Sequence, residues 1–312
     1  MSSANPSAPV PIRLAGGALG FNWLPVFVAR ERGVFARHGL EVELCRLGSV
    51  DKATAAVRSG DAELAISPPE GVLADAAGGG ELRLVAANCN CLPLTLVAKP
   101  HIKRIEELKG AVLGTSSLTE GTAIYTRAML ARHGLQYPQD FSFALAGVHQ
   151  GRWKALQEGT IDAAVQPPPF NFLAIDAGYS DLGEVSDYLP DIAFTTVLGR
   201  LGWLQKHEAA AVALLRALAE ATAWVYDQAN DAATVPIMME VTQADSGYAK
   251  RALDYMRAKS AFARSLEIPA SALDTSLQLM LEAGLLQPGA RDKARSAWDP
   301  RWARLAAAVP QA

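Results

Sequence analysis

The chain as a whole carries no excess of positive charge. Lysine and arginine number 29 against 32 aspartates and glutamates, a net charge of −3 over 312 residues. Without a basic face, nucleic acid and an anionic membrane surface are not expected partners. Cysteine is scarce. Cys45, Cys89 and Cys91 make an odd count, two of them in C-x-C, which is no disulfide framework. A zinc site takes about four ligands, and no histidine lies near Cys89 and Cys91 in sequence. The carboxylates form no ligand-like cluster either, so no metal and no cofactor is expected. No apolar run reaches the ~18 residues of a membrane span, which argues against insertion. The opening MSSANPSAPVPI has neither a basic n-region nor an apolar h-region and, as written, is not a secretory signal. It reads as a flexible lead-in, and equally as the start of a mature form. The expected compartment is periplasmic if a signal was removed and cytoplasmic if Met1 is the native start. A Ser-His-Asp order, an H-E-x-x-H and a P-loop are all missing, so no residue is nominated as catalytic.

What the chain does have is an internal repeat. AVRSGDAELAISPPEGVLADAAG (56–78) matches ALQEGTIDAAVQPPPFNFLAIDAG (155–178). Gly60 falls on Gly159, Ala65 on Ala164 and Pro68 on Pro167, at one constant offset. Upstream, ARHGLEVEL (36–44) matches ARHGLQYPQDFSF (131–143), and IRLAGG (12–17) takes the place of AVLGTSS (111–117). Each copy reads strand, helix, strand, helix, strand, helix. That alternation predicts βαβ units and a mostly parallel sheet. Two copies predict an α/β protein of two lobes, as the length also suggests. In the first copy one amphipathic helix is expected over 23–39, ended by Gly39, and another over 50–60, ended by Gly60.

Each proline pair ends a strand and launches a helix. Ser67-Pro-Pro-Glu70 has the form of a capping box: Ser67 as N-cap, Pro68 at the first helical position, Glu70 reaching back. Ser117-Leu-Thr-Glu120 repeats the S-x-x-E form. The carboxyl edge of such strands is where open α/β sheets bind ligands. Two lobes facing each other with those edges enclose a cleft. The β-rich runs 82–100 and 191–200 are expected to cross between the lobes, with hinges near 91–100 and 192–200. The expected division is 1–98 as the first part of lobe I, 99–194 as lobe II, and 195–312 returning to lobe I with helices at the C-terminal end.

Candidate contacts lie at the strand ends. After the first strand, Gly17 permits close backbone approach, while Phe21, Asn22 and Trp23 offer stacking and an amide. Ser67 follows the third strand and Asn88 ends the fourth; alternation puts Cys89 and Cys91 on the opposite face from Asn88. In lobe II the run 115–122 is rich in hydroxyls. Ser116, Ser117 and Thr119, with free backbone N–H groups at a helix start, form an anion site that needs no basic side chain. His149, Gln166 and Phe170 lie at the same edge, His149 being a surface loop residue unless it is a contact. Glu70 is assigned to capping.

The order FNWLPVFVARERGVFARHGLEVEL, GDAELAISPPEGVL, IKRIEELKGAVLGTSSLTEGT, LQEGTIDAAVQPPP resembles the nitrate/sulfonate/taurine and thiamine-pyrimidine-precursor family of substrate-binding proteins of ABC transporters. The resemblance spans about residues 12 to 200. It implies a type II periplasmic-binding-protein fold with a small-molecule ligand between two lobes. The expected function is capture of a small organic anion or planar heterocycle for an ABC importer, by a monomer that touches a permease. The alternative is a cytosolic enzyme of the same fold, a decarboxylase or a maker of the thiamine pyrimidine. The pyrimidine-making relatives carry a dense cysteine cluster, and this chain has only C-x-C.

Overall fold

The computed structural model describes residues 8–18 and 20–308. Residues 1–7 of the expected lead-in lie outside the described residues, and Val10 already belongs to a strand. Ten strands are found among the described residues: β1 (Val10–Gly16), β2 (Leu40–Arg46), β3 (Leu64–Ser67), β4 (Leu82–Cys89), β5 (Thr95–Ala98), β6 (Val112–Thr115), β7 (Ser142–Leu145), β8 (Ala163–Gln166), β9 (Ser180–Glu184) and β10 (Thr195–Arg200). They form two sheets of five, ordered β2-β1-β3-β10-β4 and β7-β6-β8-β5-β9.

The repeat is visible in that order. β1 pairs in parallel with β2 and β3, as β6 does with β7 and β8. Each sheet then receives one antiparallel strand. β10 runs between β3 and β4, and β5 between β8 and β9. The run 82–100 is therefore two strands: β4 stays in the first sheet and β5 belongs to the second. The crossings fall at 90–94 and 185–194, a few residues before the expected hinges. β3, β5 and β8 are buried at every position. Strands covered by helices on both faces carry continuous apolar runs rather than an alternating pattern.

The expected long helix over 23–39 is broken. A 3₁₀ turn at Phe21–Trp23 leads into Leu24–Glu31, and a second short helix follows at Val34–Arg37. Gly33 between them has φ +64°, a left-handed conformation that interrupts a helix at little cost for glycine alone. Helix Val50–Ser59 ends at Gly60, as expected, at φ +89°.

The C-terminal third is helical. The expected helices appear at Glu208–Tyr226, Ser246–Ala258 and Ala270–Glu282. A further helix, Asp231–Thr242, carries Pro236 in its interior. An internal proline ordinarily argues against a helix, and none is nominated there from the sequence. By length and composition Glu208–Tyr226 could cross a membrane. One stripe of it is buried in the protein, including Leu214, Leu215, Leu218 and Val225.

Candidate functional site

The carboxyl ends of β1, β3, β6 and β7 converge on a cavity between the sheets. It holds an empty space of about 540 Å³, its open mouth included, and is lined from both sides. Gly17, Ala18, Asn22, Trp23, Val50, Ile66 and Pro68 come from the first lobe; Ser116, Gly121, Thr122, Val148, His149 and Arg152 from the second; Leu94, Phe194 and Thr195 from the crossings. The wall is mostly apolar with a few placed polar groups, the usual make-up of a small-molecule site.

The unusual member is Arg152. It sits in helix His149–Gln157, which starts just after β7, and only 1% of it is exposed. Its Nε donates to the Val165 carbonyl at 3.1 Å, Nη1 to the Gly147 carbonyl at 3.5 Å, and Nη2 lies 3.4 Å from His149 Nδ1. No carboxylate bonds to it among the described residues, and no aspartate or glutamate lines the cavity. Burial alone moves its pKa, down to about 10, so it keeps its proton at neutral pH. A buried charge normally has a partner; leaving one unpaired costs several kcal/mol.

His149 is half-buried, and its Nε2 atom is both buried and unsatisfied. Burial, with Arg152 and Arg46 nearby, drives its pKa well below the usual imidazole value, so the ring is neutral. Arginine only donates, so Nδ1 accepts and the ring proton sits on Nε2. Nε2 has no partner among the described residues. Gln166, at the end of β8, is fully buried with both amide atoms unpaired. Buried polar groups are normally hydrogen-bonded, to protein, water or ligand.

The lobes touch through carboxylates beside this cavity. Glu70, opening helix Glu70–Ala77, accepts from Tyr125 Oη at 2.9 Å and Gly121 N at 3.3 Å, both in the other lobe. Glu120 reaches the opposite way and accepts from Thr54 Oγ1 at 3.2 Å. Ser117 Oγ donates to Asp51 across the same gap at 2.7 Å. Burial raises Glu70 to about 7. Burial, with Asp51 and Glu70 close by, raises Glu120 to about 8. Proximity of like charges and loss of water both favour the protonated acids.

Comparison with known proteins places this geometry. The family described as NMT1/THI5-like matches residues 20–232, more than half of the sequence. The chain belongs to the NMT1/THI5-like family. No curated protein matches it by sequence. Among solved structures it is similar to the alkanesulfonate-binding protein SsuA from Xanthomonas axonopodis pv. citri bound to MOPS, with TM-score 0.77 and 15% identity over 95% of this chain and 100% of that one. It is also similar to the periplasmic nitrate-binding protein NrtA from Synechocystis PCC 6803, with TM-score 0.76 and 14% identity over 96% and 88%. A Candida albicans protein described as having the generic periplasmic binding protein fold gives TM-score 0.74 and 14% identity over 93% and 96%. These likenesses establish the periplasmic-binding-protein fold.

On that NMT1/THI5-like frame the nominated residues divide. Gly17, Asn22, Trp23, Ser116 and His149 line the cavity. His149 is half-buried at the start of a helix, with its Nε2 buried, not a surface loop residue. The others stand behind the wall or beside it. Phe21 packs against His149 with ring centroids 5.4 Å apart and stacks near Phe194 at 6.2 Å. Phe170 stacks on the far side of His149 at 6.4 Å. Asn88 donates to the Asn22 carbonyl and to Thr195 Oγ1, both at 2.9 Å, tying two lining residues together. Gln166 lies in β8 next to Val165, the acceptor of Arg152. Thr119 is exposed, and its N–H donates to Ser117 Oγ.

Several expectations are overturned or revised. Ser67 caps nothing: it ends β3, its hydroxyl lies 3.5 Å from the Val50 carbonyl, and Pro69 stands at the helix start. Glu70 does not reach back, because its carboxylate is turned to Tyr125 in the facing lobe. The capping box in lobe II is half right. Ser117 Oγ accepts from the N–H groups of Thr119 and Glu120, but the Glu120 side chain crosses to Thr54. The cavity also has a basic side chain after all. Arg152 was missed because HQGR looks like any solvated helix turn. The available signal was the i, i+3 spacing, which puts His149 and Arg152 on one face of a helix opening at a strand end.

Proposed function

We propose that this protein captures a small organic anion or planar heterocycle between its lobes and delivers it to an ABC importer. The observation that carries the reading is the cavity itself. Both lobes line it, and buried polar groups around it lack partners that a solute can supply. Similarity to sulfonate- and nitrate-binding proteins of the same fold supports capture and transport, although fold alone does not carry function. In this reading residues up to 90 and from 195 on move as one lobe and 95–184 as the other; the boundary expected at 98/99 falls earlier, because β5 belongs to the second sheet. Asn22, Trp23, Ser116 and His149 contact the solute, while Phe21, Asn88 and Phe170 hold them in place. The protein works as a monomer in the periplasm, and the permease is its protein partner.

The test is recovery of the solute. Protein purified without denaturation is unfolded, and the released small molecules are identified by mass spectrometry. The reading predicts one dominant solute in stoichiometric amount, which returns unchanged after incubation with the native protein. Conversion of that solute to product would make the protein an enzyme and overturn the capture role.

A further inference from the structure

Outside the cavity, one helix fastens the two lobes together. Helix Ser246–Ala258 is rooted in lobe I. Its buried face is Ala249, Ala252, Leu253 and Met256. Arg257, near its end, donates to the Val225 carbonyl and to Asp231, both at 2.6 Å. The chain that follows is tied to the end of β4 by its backbone. Asn90 N donates to the Ala261 carbonyl at 3.1 Å, and Ala263 N to the Asn88 carbonyl at 2.9 Å. Releasing this side would unfold part of lobe I.

The contacts to lobe II are of another kind, made by the tips of long side chains. Tyr248 Oη and Arg251 Nη1 donate to Asp176, at 2.9 and 3.0 Å, at the end of helix Phe170–Asp176. Tyr255 Oη donates to Glu184 at 2.7 Å, and Lys259, just beyond the helix, pairs with the same carboxylate. Glu184 is the last residue of β9, where the chain leaves lobe II. The ring of Phe172 lies under the Arg251 guanidinium, 4.0 Å from its Cζ, with Tyr255 edge-on at 5.6 Å. All of these pairs can part without breaking a backbone hydrogen bond.

The repeat sharpens the contrast. The first copy also has an aspartate near the end of the matching helix, Asp75 in Glu70–Ala77. Asp75 bonds inside its own lobe, to Arg58 and to Leu82 N. Asp176 makes no side-chain bond inside lobe II among the described residues; both its partners stand on the lobe I helix. Helix Ala270–Glu282 also meets lobe II, but loosely. Arg127 Nη2 reaches the Ala283 carbonyl at 3.3 Å, and grooves of about 900 and 620 Å³, open mouths included, lie beside the contact.

We infer that helix Ser246–Ala258 is a releasable latch: rooted in lobe I, it grips lobe II through Asp176, Glu184 and Phe172 and sets how often the empty protein opens. The latch needs no solute, so its failure would leave solute capture untouched. Exposed pairs of this kind each shift an equilibrium by up to about fivefold, and a handful together by roughly tenfold or more. Salt screens the ion pairs and leaves the Phe172 contact, so salt alone should release the latch in part.

The test is amide hydrogen exchange in the full-length protein, dialysed free of small molecules and read residue by residue by NMR. The Gly121 N–H donates to Glu70 across the lobes, so its exchange counts openings. Leu96 and Val165, paired inside lobe II, report unfolding of the lobe itself. Asp176→Ala combined with Glu184→Ala should speed exchange at Gly121 by roughly tenfold and leave Leu96 and Val165 as they are. Wild type in about 1 M salt should show a smaller rise at Gly121, and the double variant none. Arg251→Asp should open the protein. Adding Asp176→Arg should bring Gly121 back toward the wild-type rate, which a merely structural role would not do. Unchanged exchange at Gly121 in the double variant, an equal rise at all three amides, or a charge swap no slower than Arg251→Asp alone would overturn the latch.

Discussion

Single residues decide how closely the lobes approach. Gly71 faces Glu120 of the other lobe, and a Cβ there would overlap Glu120 Oε1. Gly20 faces His149, and its Cβ would lie 2.8 Å from Nε2. Neither contact could be inferred from the sequence, because both depend on how two distant loops meet. Gly71→Ala makes a sharp prediction. Alanine is the better helix residue by roughly 0.5–1 kcal/mol, although its Cβ would also lie 2.9 Å from Thr54 Cγ2 within lobe I, which offsets part of that gain. Closure should suffer, because Glu120 has to leave Thr54. Small-angle scattering is expected to give a larger radius of gyration for the variant; a profile identical to wild type would count against the contact. Arg152 teaches the same lesson from the other side. Its type was legible, but its burial was not, since a lone arginine on a polar helix turn is ordinarily solvated.

At the scale of elements, the strands were read closely because their signals are local. LAIS is β3 to the residue, and the proline pairs do end strands. Helix starts were read less well. The S-x-x-E pattern predicts a local cap, and tertiary contacts claimed the glutamates instead. That redirection has a consequence for pH. Glu70 and Glu120 are raised to about 7 and about 8 while the lobes are closed. Opening returns them to water and to ordinary carboxylate values near 4.3. The closed form therefore binds more protons than the open form across that interval. Its advantage is complete below about pH 4.3 and is lost as pH rises through 7 to 8. Closure is expected to take up protons, seen as a dependence of binding enthalpy on the ionisation enthalpy of the buffer. Glu70→Gln and Glu120→Gln should flatten the pH dependence; a variant pair that leaves it unchanged would contradict the assignment.

Ser117 gives a second prediction at this scale. It accepts from two backbone N–H groups and donates to Asp51. Ser117→Ala is expected to destabilise the protein by about 1 kcal/mol as a lost cap, read as a lower midpoint in urea. Loss of the Asp51 contact should loosen closure as well. An unchanged midpoint would mean the turn is held by other groups.

The whole molecule was legible in outline because the sequence repeats itself. A duplicated pattern of strand, helix and proline pair implies two similar lobes, and the two sheets share one strand order. The crossing out and the return at 191–200 were expected. What could not be read was that β5 already belongs to the second sheet and that β5 and β10 pair antiparallel there and in the first sheet; nothing local in TLVA or TTVLGR says so. That exchange puts two crossings side by side under the cavity, through Leu94 and Phe194. Two short connections permit hinge closure about a solute touching both lobes. A solute at a hundredfold excess over its Kd stabilises the bound form by about 2.7 kcal/mol. In a protein of this size that is a rise of roughly 4 °C in Tm.

The central claim is that one solute completes a site shared by both lobes. The most direct measurement is a crystal structure of the protein purified with the solute it retains from its native host. The account predicts density in the cavity that contacts Arg152 and His149 on one side and Trp23 on the other. Density outside that cavity, or density touching one lobe alone, would contradict it.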